Sequence, residues 1–177
     1  MFPAQKSATA LKSLLLHRRR LTLAVGESVT AGHLQAGITA VPGASEFFVG
    51  GITAYSLEQK VRHLGVNRLR ARRVNCVSAA VAEEMARGTC HLFDTELGVA
   101  TTGYAEPAPT AGVDQPFAWW AIAHRKRGRF TLRHGRIDCP GARRIEVQAI
   151  VAAATLAELV SFIRELRGRA AGNSTGP

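Results

Sequence analysis

The sequence has few of the residues that build disulfide frameworks or metal sites. It contains three cysteines among 177 residues, Cys76, Cys90 and Cys139, which are widely separated and form no CxxC pair. An odd and sparse set of this kind argues against a disulfide framework and suits a reducing compartment. The six histidines are scattered, and none stands at a metal-ligand spacing to another histidine or a cysteine. We therefore expect no structural metal.

Long apolar runs and a leader segment are also missing. No apolar run approaches the roughly 20 residues that span a bilayer. The N-terminus lacks the charged start, apolar middle and small-residue cleavage site of a signal peptide. We therefore expect a cytoplasmic protein with no membrane partner. The length predicts a single domain over residues 1–177, with a folded core at about 7–166 and a disordered tail at 167–177.

Acidic residues are scarce relative to basic ones. The chain has 13 Asp and Glu against 23 Lys and Arg, which gives a formal net charge of +10. A charge of this size favours anionic partners, namely nucleic acid, a membrane surface or a phosphorylated small molecule. Composition alone does not choose among these three.

The apolar pattern predicts helices that alternate with strands, followed by a strand pair and a long closing helix. This order indicates an α/β fold, a three-layer α/β/α arrangement with a mixed β-sheet. The predicted strands are 21–25, 47–55, 97–102, 117–123 and 129–137, and the closing helix is predicted from about 143 to 166.

Three loops follow predicted strands and are rich in hydroxyls or glycine. They are GESVTAG at 26–32, the Tyr55-Ser56 corner, and TTGYAEP at 101–107. Ligands of open α/β sheets bind beyond the carboxyl ends of the strands, so these loops are candidate site segments. Ser28 or Ser56 alone is better explained as a helix N-cap.

Lys60 falls in the first turn of a predicted helix that Ser56 caps. The helix dipole disfavours a cation there by roughly 0.3–1 kcal/mol, which lowers a lysine pKa by less than about one unit. Burial in addition could produce a neutral amine able to deprotonate a serine. On local sequence alone, a solvated surface lysine is the better explanation of this position.

Four stretches, in order along the chain, resemble the landmarks of the CinA C-terminal domain family. They are GESVTAG, VPGASEFFVGGITAYSLEQKVRHLGV, VNCVSAAVAEEMA and CPGARR. The family's landmarks read like ESCTGG, VPGSS, TYSNEAK, a GVS-containing segment, SGIAGPxGG, GTVW and a PGDR-like turn. The family includes the bacterial nicotinamide mononucleotide amidohydrolases, and the similarity covers about residues 10–165.

The resemblance implies a serine–lysine amidase without metal or cofactor, which acts on a nucleotide-like carboxamide and forms a homo-oligomer. Ser28 matches the family nucleophile, Lys60 matches its base, and Tyr55 belongs to the same catalytic group. Backbone amides at the start of the helix after GESVTAG are expected to stabilise the oxyanion. The implied substrate-binding residues, with the last of them holding the phosphate, are Glu27, Thr30, Gly32, Thr102, Gly103 and Arg143.

Two departures from the family landmarks affect the expected activity. Val29 and Ala31 replace Cys and Gly in the first landmark, and the change to Ala31 is expected to be mild because we assign it a helical position. The glycine-rich loop is replaced by TTGYAEPAPTAG, which introduces Glu106. A carboxylate there repels a phosphate unless a cation intervenes. The substrate could therefore differ, or the protein could bind a nucleotide-like ligand without turning it over.

A nucleic-acid interaction is a less favoured alternative. It is supported by the net charge, by RLRARR at 68–73 and by RKRGRFTLRHGR at 125–136, where Phe130 could stack on a base. No helix-turn-helix, zinc-finger or RNP-type motif is present. A solvated, arginine-rich surface explains the same residues.

Overall fold

A five-stranded mixed sheet forms the middle layer of the protein. The structure is a computed structural model that describes residues 3–17 and 19–172. The strand order is β2-β1-β3-β4-β5; β1 is parallel to β2 and β3, whereas β4 is antiparallel to β3 and β5. The strands are β1 (Leu23–Glu27), β2 (Phe48–Thr53), β3 (Leu97–Tyr104), β4 (Phe117–Lys126) and β5 (Arg129–Asp138).

Six α-helices flank the sheet, with short 3-10 helices at Ala44–Glu46 and Pro109–Ala111. α1, α2 and α6 pack together on one face, where Leu11, Leu23 and Leu156 belong to one buried cluster. α3 and α5 cover the opposite face, where Met85 and Ala121 are buried. This arrangement confirms the predicted three-layer α/β/α fold. The helices are α1 (Pro3–Leu16), α2 (His33–Thr39), α3 (Leu57–Leu64), α4 (Arg68–Arg73), α5 (Ala79–Phe93) and α6 (Arg144–Gly172).

The terminal helices extend beyond the predicted folded core of residues 7–166. α1 begins at Pro3 and α6 continues to Gly172. The guanidinium of Arg167 donates hydrogen bonds to backbone carbonyls of Leu14, Leu15 and Arg19, which ties the end of α6 to the end of α1. Residues 173–177 of the predicted tail lie outside the described residues.

The RLRARR segment forms α4, a helix that the sequence pattern does not predict. The side chain of Asn67 accepts a hydrogen bond from the backbone N–H of Arg70 and caps the helix, and Ala71 packs into the core. Ala71 is the one buried residue of α4, and the other five residues of this helix are exposed. No apolar periodicity therefore marks the helix in the sequence.

Within the described residues, α6 is the one helix long and apolar enough, by length and composition, to cross a membrane. Its apolar side chains, including Val147, Val151, Leu159 and Ile163, are buried inside the protein. Packing within the core therefore accounts for this composition. The absence of a membrane partner stays a prediction.

α3 and α5 approach each other closely at Gly88, where a side chain would not fit. A Cβ atom built on Gly88 would lie 2.0 Å from the backbone oxygen of Leu64, the last residue of α3. The glycine therefore sets the spacing between α5 and the helix that carries Lys60.

We expect Gly88→Ala to lower the free energy of unfolding by about 1–3 kcal/mol, because α3 must move away from α5. Gly168→Ala is the matched control, since Gly168 also lies in a helix and a Cβ there meets nothing within 4 Å. The control should be stabilised by about 0.5–1 kcal/mol. Urea denaturation measures both values, and equal shifts for the two variants would contradict the assigned contact.

Candidate active site

The three loops singled out in the sequence meet at one pocket. It lies at the carboxyl ends of the parallel strands, where the chain leaves β1 toward β2 on one side and later returns as β3 on the other. Such a reversal point opens a crevice in α/β sheets. The pocket has a volume of about 400 Å³, and its walls include Ser28, Tyr55, Lys60, Cys76, Thr102 and Arg144.

Ser28 and Lys60 come together although 32 positions separate them. Lys60 Nζ lies 2.9 Å from Ser28 Oγ and donates a second hydrogen bond of 2.8 Å to the backbone oxygen of Tyr55. Both side chains are buried, with 7% of Ser28 and 2% of Lys60 exposed. The pair therefore has the spacing of a nucleophile and its base.

The helix that carries Lys60 is defined at both ends. Ser56 Oγ accepts a hydrogen bond from the backbone N–H of Gln59, which confirms the predicted N-cap. Gly65 ends the helix with φ 63°, a left-handed conformation that suits glycine. These caps and the close contact at Gly88 fix the position of the lysine relative to the sheet.

Burial lowers the pKa of Lys60 below its ordinary value of 10.5, and the nearby Cys76 thiol opposes this shift. Among the described residues, no carboxylate forms an ion pair with Lys60. The neutral amine is thus populated at lower pH than in a surface lysine. A neutral amine at this distance can accept the proton of the Ser28 hydroxyl.

Glu27 holds the loop that presents Ser28. Its carboxylate is fully buried and accepts hydrogen bonds from the backbone N–H groups of Gly32, Leu34 and Gln35, at 2.9, 3.1 and 3.0 Å. The expectation that amides at the start of α2 stabilise an oxyanion is therefore wrong, because the carboxylate already occupies them. Glu27 and Gly32 shape the loop and are not among the residues that line the pocket.

The threonines of the predicted binding set divide between the core and the pocket. Thr30 Oγ1 lies 2.7 Å from Thr101 Oγ1, and both residues are fully buried, so Thr30 does not reach the pocket. Thr102 lines the pocket, where its hydroxyl donates to the backbone oxygen of Cys76 at 2.7 Å. Gly103 also lines the pocket.

The structure does not bring Arg143 to the pocket, contrary to the phosphate-binding role implied for it. Its side chain is 82% exposed and pairs with Glu146 at the start of α6. Arg144 lines the pocket instead. Arg143 precedes the first residue of α6, Arg144, and the two adjacent side chains face different directions. The sequence CPGARR offered both arginines and no signal to choose between them.

Arg144 is the cation that accompanies Glu106. Its Nε and Nη2 donate to the two carboxylate oxygens of Glu106, with 3.3 Å between Nε and Oε2. This hydrogen bonding raises the pKa of Arg144, and a hydrogen bond with Tyr55 contributes in the same direction. The negative charge that the altered loop introduces is therefore neutralised at the pocket wall.

Both basic segments are tied into the protein surface, since Arg68 and Arg70 of the first segment pair with Glu58 and Glu84. Phe130 is partly buried and packs against His91 with 5.4 Å between ring centroids. In the same segment, Arg125, Arg133 and Arg136 form ion pairs with acidic residues. Within the described part of the chain, no cluster of His, Cys, Asp or Glu could hold a metal ion.

The sequence model of the CinA C-terminal domain family matches residues 5–163. The chain belongs to this family. A CinA-like protein from Chlorobium limicola is 36% identical over 157 residues, which cover 87% of this chain and 36% of the relative. A CinA-like protein from a Cyanothece species is 43% identical over 103 residues, covering 58% of this chain and 25% of the relative. The matched region thus spans about a third or less of the length of these CinA relatives.

Solved structures of the CinA superfamily share the fold. The protein from Enterobacter cloacae aligns with a TM-score of 0.82 at 24% identity, covering 92% of this chain and 94% of the other. The protein from Escherichia coli aligns with a TM-score of 0.78 at 26% identity, covering 90% of each chain. The CinA architecture therefore extends over nearly all the described residues.

The buried carboxylate of Glu27 generates one prediction. Glu27→Gln retains the shape but replaces one acceptor oxygen by an NH₂ group that faces backbone donors, so we expect about 2–3 kcal/mol less stability. Glu46→Gln is the control, because Glu46 pairs with Lys12 at the surface, and its effect should stay within about 0.5 kcal/mol. Denaturant titration compares the two variants, and a Glu27 effect as small as the control would contradict the capping role.

Ala31 has φ 49°, so the expectation that it occupies a helical position is wrong. The left-handed conformation strains a residue with a Cβ by roughly 1–2 kcal/mol. We expect Ala31→Gly to raise the free energy of unfolding by about 0.5–1 kcal/mol, because relief of strain exceeds the entropy lost. Ala36→Gly, in the exposed interior of α2, should lower it by about 1 kcal/mol. Thermal or urea unfolding would refute the assigned strain if both changes destabilise.

Proposed function

We propose that the protein is an amidohydrolase that converts the carboxamide of nicotinamide mononucleotide, or of a related compound, to the acid and ammonia. The observation that carries the proposal is the 2.9 Å approach of the buried Lys60 amine to the Ser28 hydroxyl in the pocket. Membership of the CinA family supports it. Homo-oligomerisation is part of the same proposal.

The first half of the reaction forms an acyl-enzyme. Lys60, in its neutral form, takes the proton of the Ser28 hydroxyl while Ser28 Oγ attacks the amide carbon. The resulting tetrahedral intermediate collapses, the carbon–nitrogen bond breaks, and Lys60 returns the proton to the leaving nitrogen. Ammonia departs, and the acyl group stays on Ser28 as an ester.

The second half uses water as the nucleophile. Lys60 takes a proton from the water as its oxygen attacks the ester carbon, and the Ser28 oxygen leaves and recovers the proton. The carboxylic acid is released, and both side chains return to their starting states. The same amine therefore acts as general base and general acid in both halves.

We assign oxyanion stabilisation to the C-terminal end of β3. The pairing of β3 with β1 ends at Ala100, whereas its pairing with β4 continues to Tyr104. On the β1 side, backbone groups of residues 101–104 thus extend past the partner strand toward the pocket, which Thr102 and Gly103 line. Fixed backbone donors of this kind stabilise an oxyanion without reorganisation.

Ammonia release from nicotinamide mononucleotide and related amides tests the proposal. We expect Ser28→Ala, Lys60→Ala and Lys60→Arg each to lower kcat/KM at least about a hundredfold, because arginine keeps its proton and cannot act as a base. Gln59→Ala, one residue before Lys60 and exposed, should stay within about twofold of the unsubstituted protein. Turnover that persists in the Ser28→Ala variant would refute the assignment of Ser28 as the nucleophile.

The pH profile follows from the same lysine. The neutral fraction of Lys60 grows as pH rises, and burial places its pKa below 10.5. We therefore expect kcat/KM to rise with pH and to level off below pH 10.5. Any residual activity of the Lys60→Ala variant should not show this rise. Saturable binding of the nucleotide without any ammonia release would instead identify a catalytically silent member of the family.

A further inference from the structure

An ion pair stands at the wall of the pocket in place of the family's glycine-rich loop. The forked guanidinium of Arg144 faces both carboxylate oxygens of Glu106. The two side chains remain 48% and 58% exposed. Both line the pocket, together with Tyr55. The Glu106–Arg144 pair is therefore accessible to a ligand that enters the pocket.

This pair leaves no uncommitted cation for an anionic ligand. Among the pocket-lining residues that the structure describes, the charged side chains are Lys60, Glu106 and Arg144. The Lys60 amine is buried beside Ser28, and Arg144 is engaged by Glu106. A phosphate on Arg144 would share the guanidinium with Glu106 and would therefore lie near the carboxylate. Carboxylate and phosphate dianion only accept hydrogen bonds, so they repel each other.

The other cationic features near the pocket do not replace Arg144. Arg143 points away and pairs with Glu146. Ser56 and Leu57 bring the N-terminus of α3 to the pocket, and Glu58 in the first turn of that helix is paired with Arg68, so neither adds an uncompensated charge. The pocket wall thus offers a ligand both a hydrogen-bond donor, Arg144, and an acceptor, Glu106.

Resting on the amidase function proposed above, we propose that the Glu106–Arg144 pair selects amides whose far end is uncharged and carries hydroxyls, as in a nucleoside, over their phosphorylated forms. A hydroxyl can donate to Glu106 and accept from Arg144 without separating the pair, since the carboxylate has about four acceptor positions and the guanidinium five donors. Electrostatic mismatch of this kind discriminates between ligands of similar shape.

The test compares ammonia release from nicotinamide riboside and nicotinamide mononucleotide, which differ only by the phosphate. We expect kcat/KM to favour the riboside by at least about tenfold. Glu106→Gln should raise the mononucleotide-to-riboside ratio by about tenfold, because it removes the repelling charge and releases Arg144. Glu146→Gln alters a comparable Arg–Glu pair outside the pocket and should leave the ratio within about twofold.

A preference for the mononucleotide, or an unchanged ratio in Glu106→Gln, would overturn the inference while leaving the amidase proposal intact. The Kd values of the same two compounds, measured by calorimetry in Ser28→Ala and in Ser28→Ala/Glu106→Gln, give a readout independent of turnover. If no amide is hydrolysed, the proposed reaction fails, and the ratio of these Kd values still decides the selection. Equal Kd ratios in both proteins would again overturn it.

Discussion

The site depends on one buried charge, the carboxylate of Glu27 at the end of the central strand β1. A carboxylate out of contact with water is unfavourable unless hydrogen bonds replace its hydration. Here three backbone N–H groups from Gly32 to Gln35 provide them. The same bonds satisfy amides at the start of α2, which a short helix would otherwise leave without partners. Because the loop is closed in this way, Ser28 is held at the mouth of the β1–β3 crevice.

Lys60 imposes the second constraint, since burial disfavours its charged form and lowers its pKa. Its helix must therefore be held against the sheet by contacts that do not involve that charge. Capping by Ser56 and Gly65 and the close approach at Gly88 are contacts of this kind. The backbone oxygen of Tyr55 and the Ser28 hydroxyl accept hydrogen bonds from the amine. Neither carries a charge, whereas a carboxylate partner would raise the pKa of the lysine again.

The fold class, the N-cap at Ser56 and the three loops that meet at the pocket could be predicted from the sequence, because periodicity, capping and strand ends are local properties. The buried state of Lys60 could not, since it depends on α5 and β1 packing around α3. The same limit explains why Glu27, Thr30 and Gly32 were assigned to substrate binding. The family landmarks associate them with the site, but they stabilise the loop and do not line the pocket. It also explains Arg143 and Arg144, whose directions depend on where α6 begins. Ala31 was misassigned because a left-handed residue other than glycine leaves no signal in the sequence.

The two ends of the pocket are subject to different physical requirements. At the Ser28 end, buried groups must be matched to within hydrogen-bond distance, and a substitution there changes stability as well as chemistry. At the Glu106 end, the ion pair is half exposed, and pairs of this kind contribute little to stability because water and salt screen them. Residues at that end can change charge without disturbing the fold. The loop with Glu106 and two prolines therefore changes the charge at one end of the pocket, whereas the contact between Ser28 and Lys60 at the other end is kept.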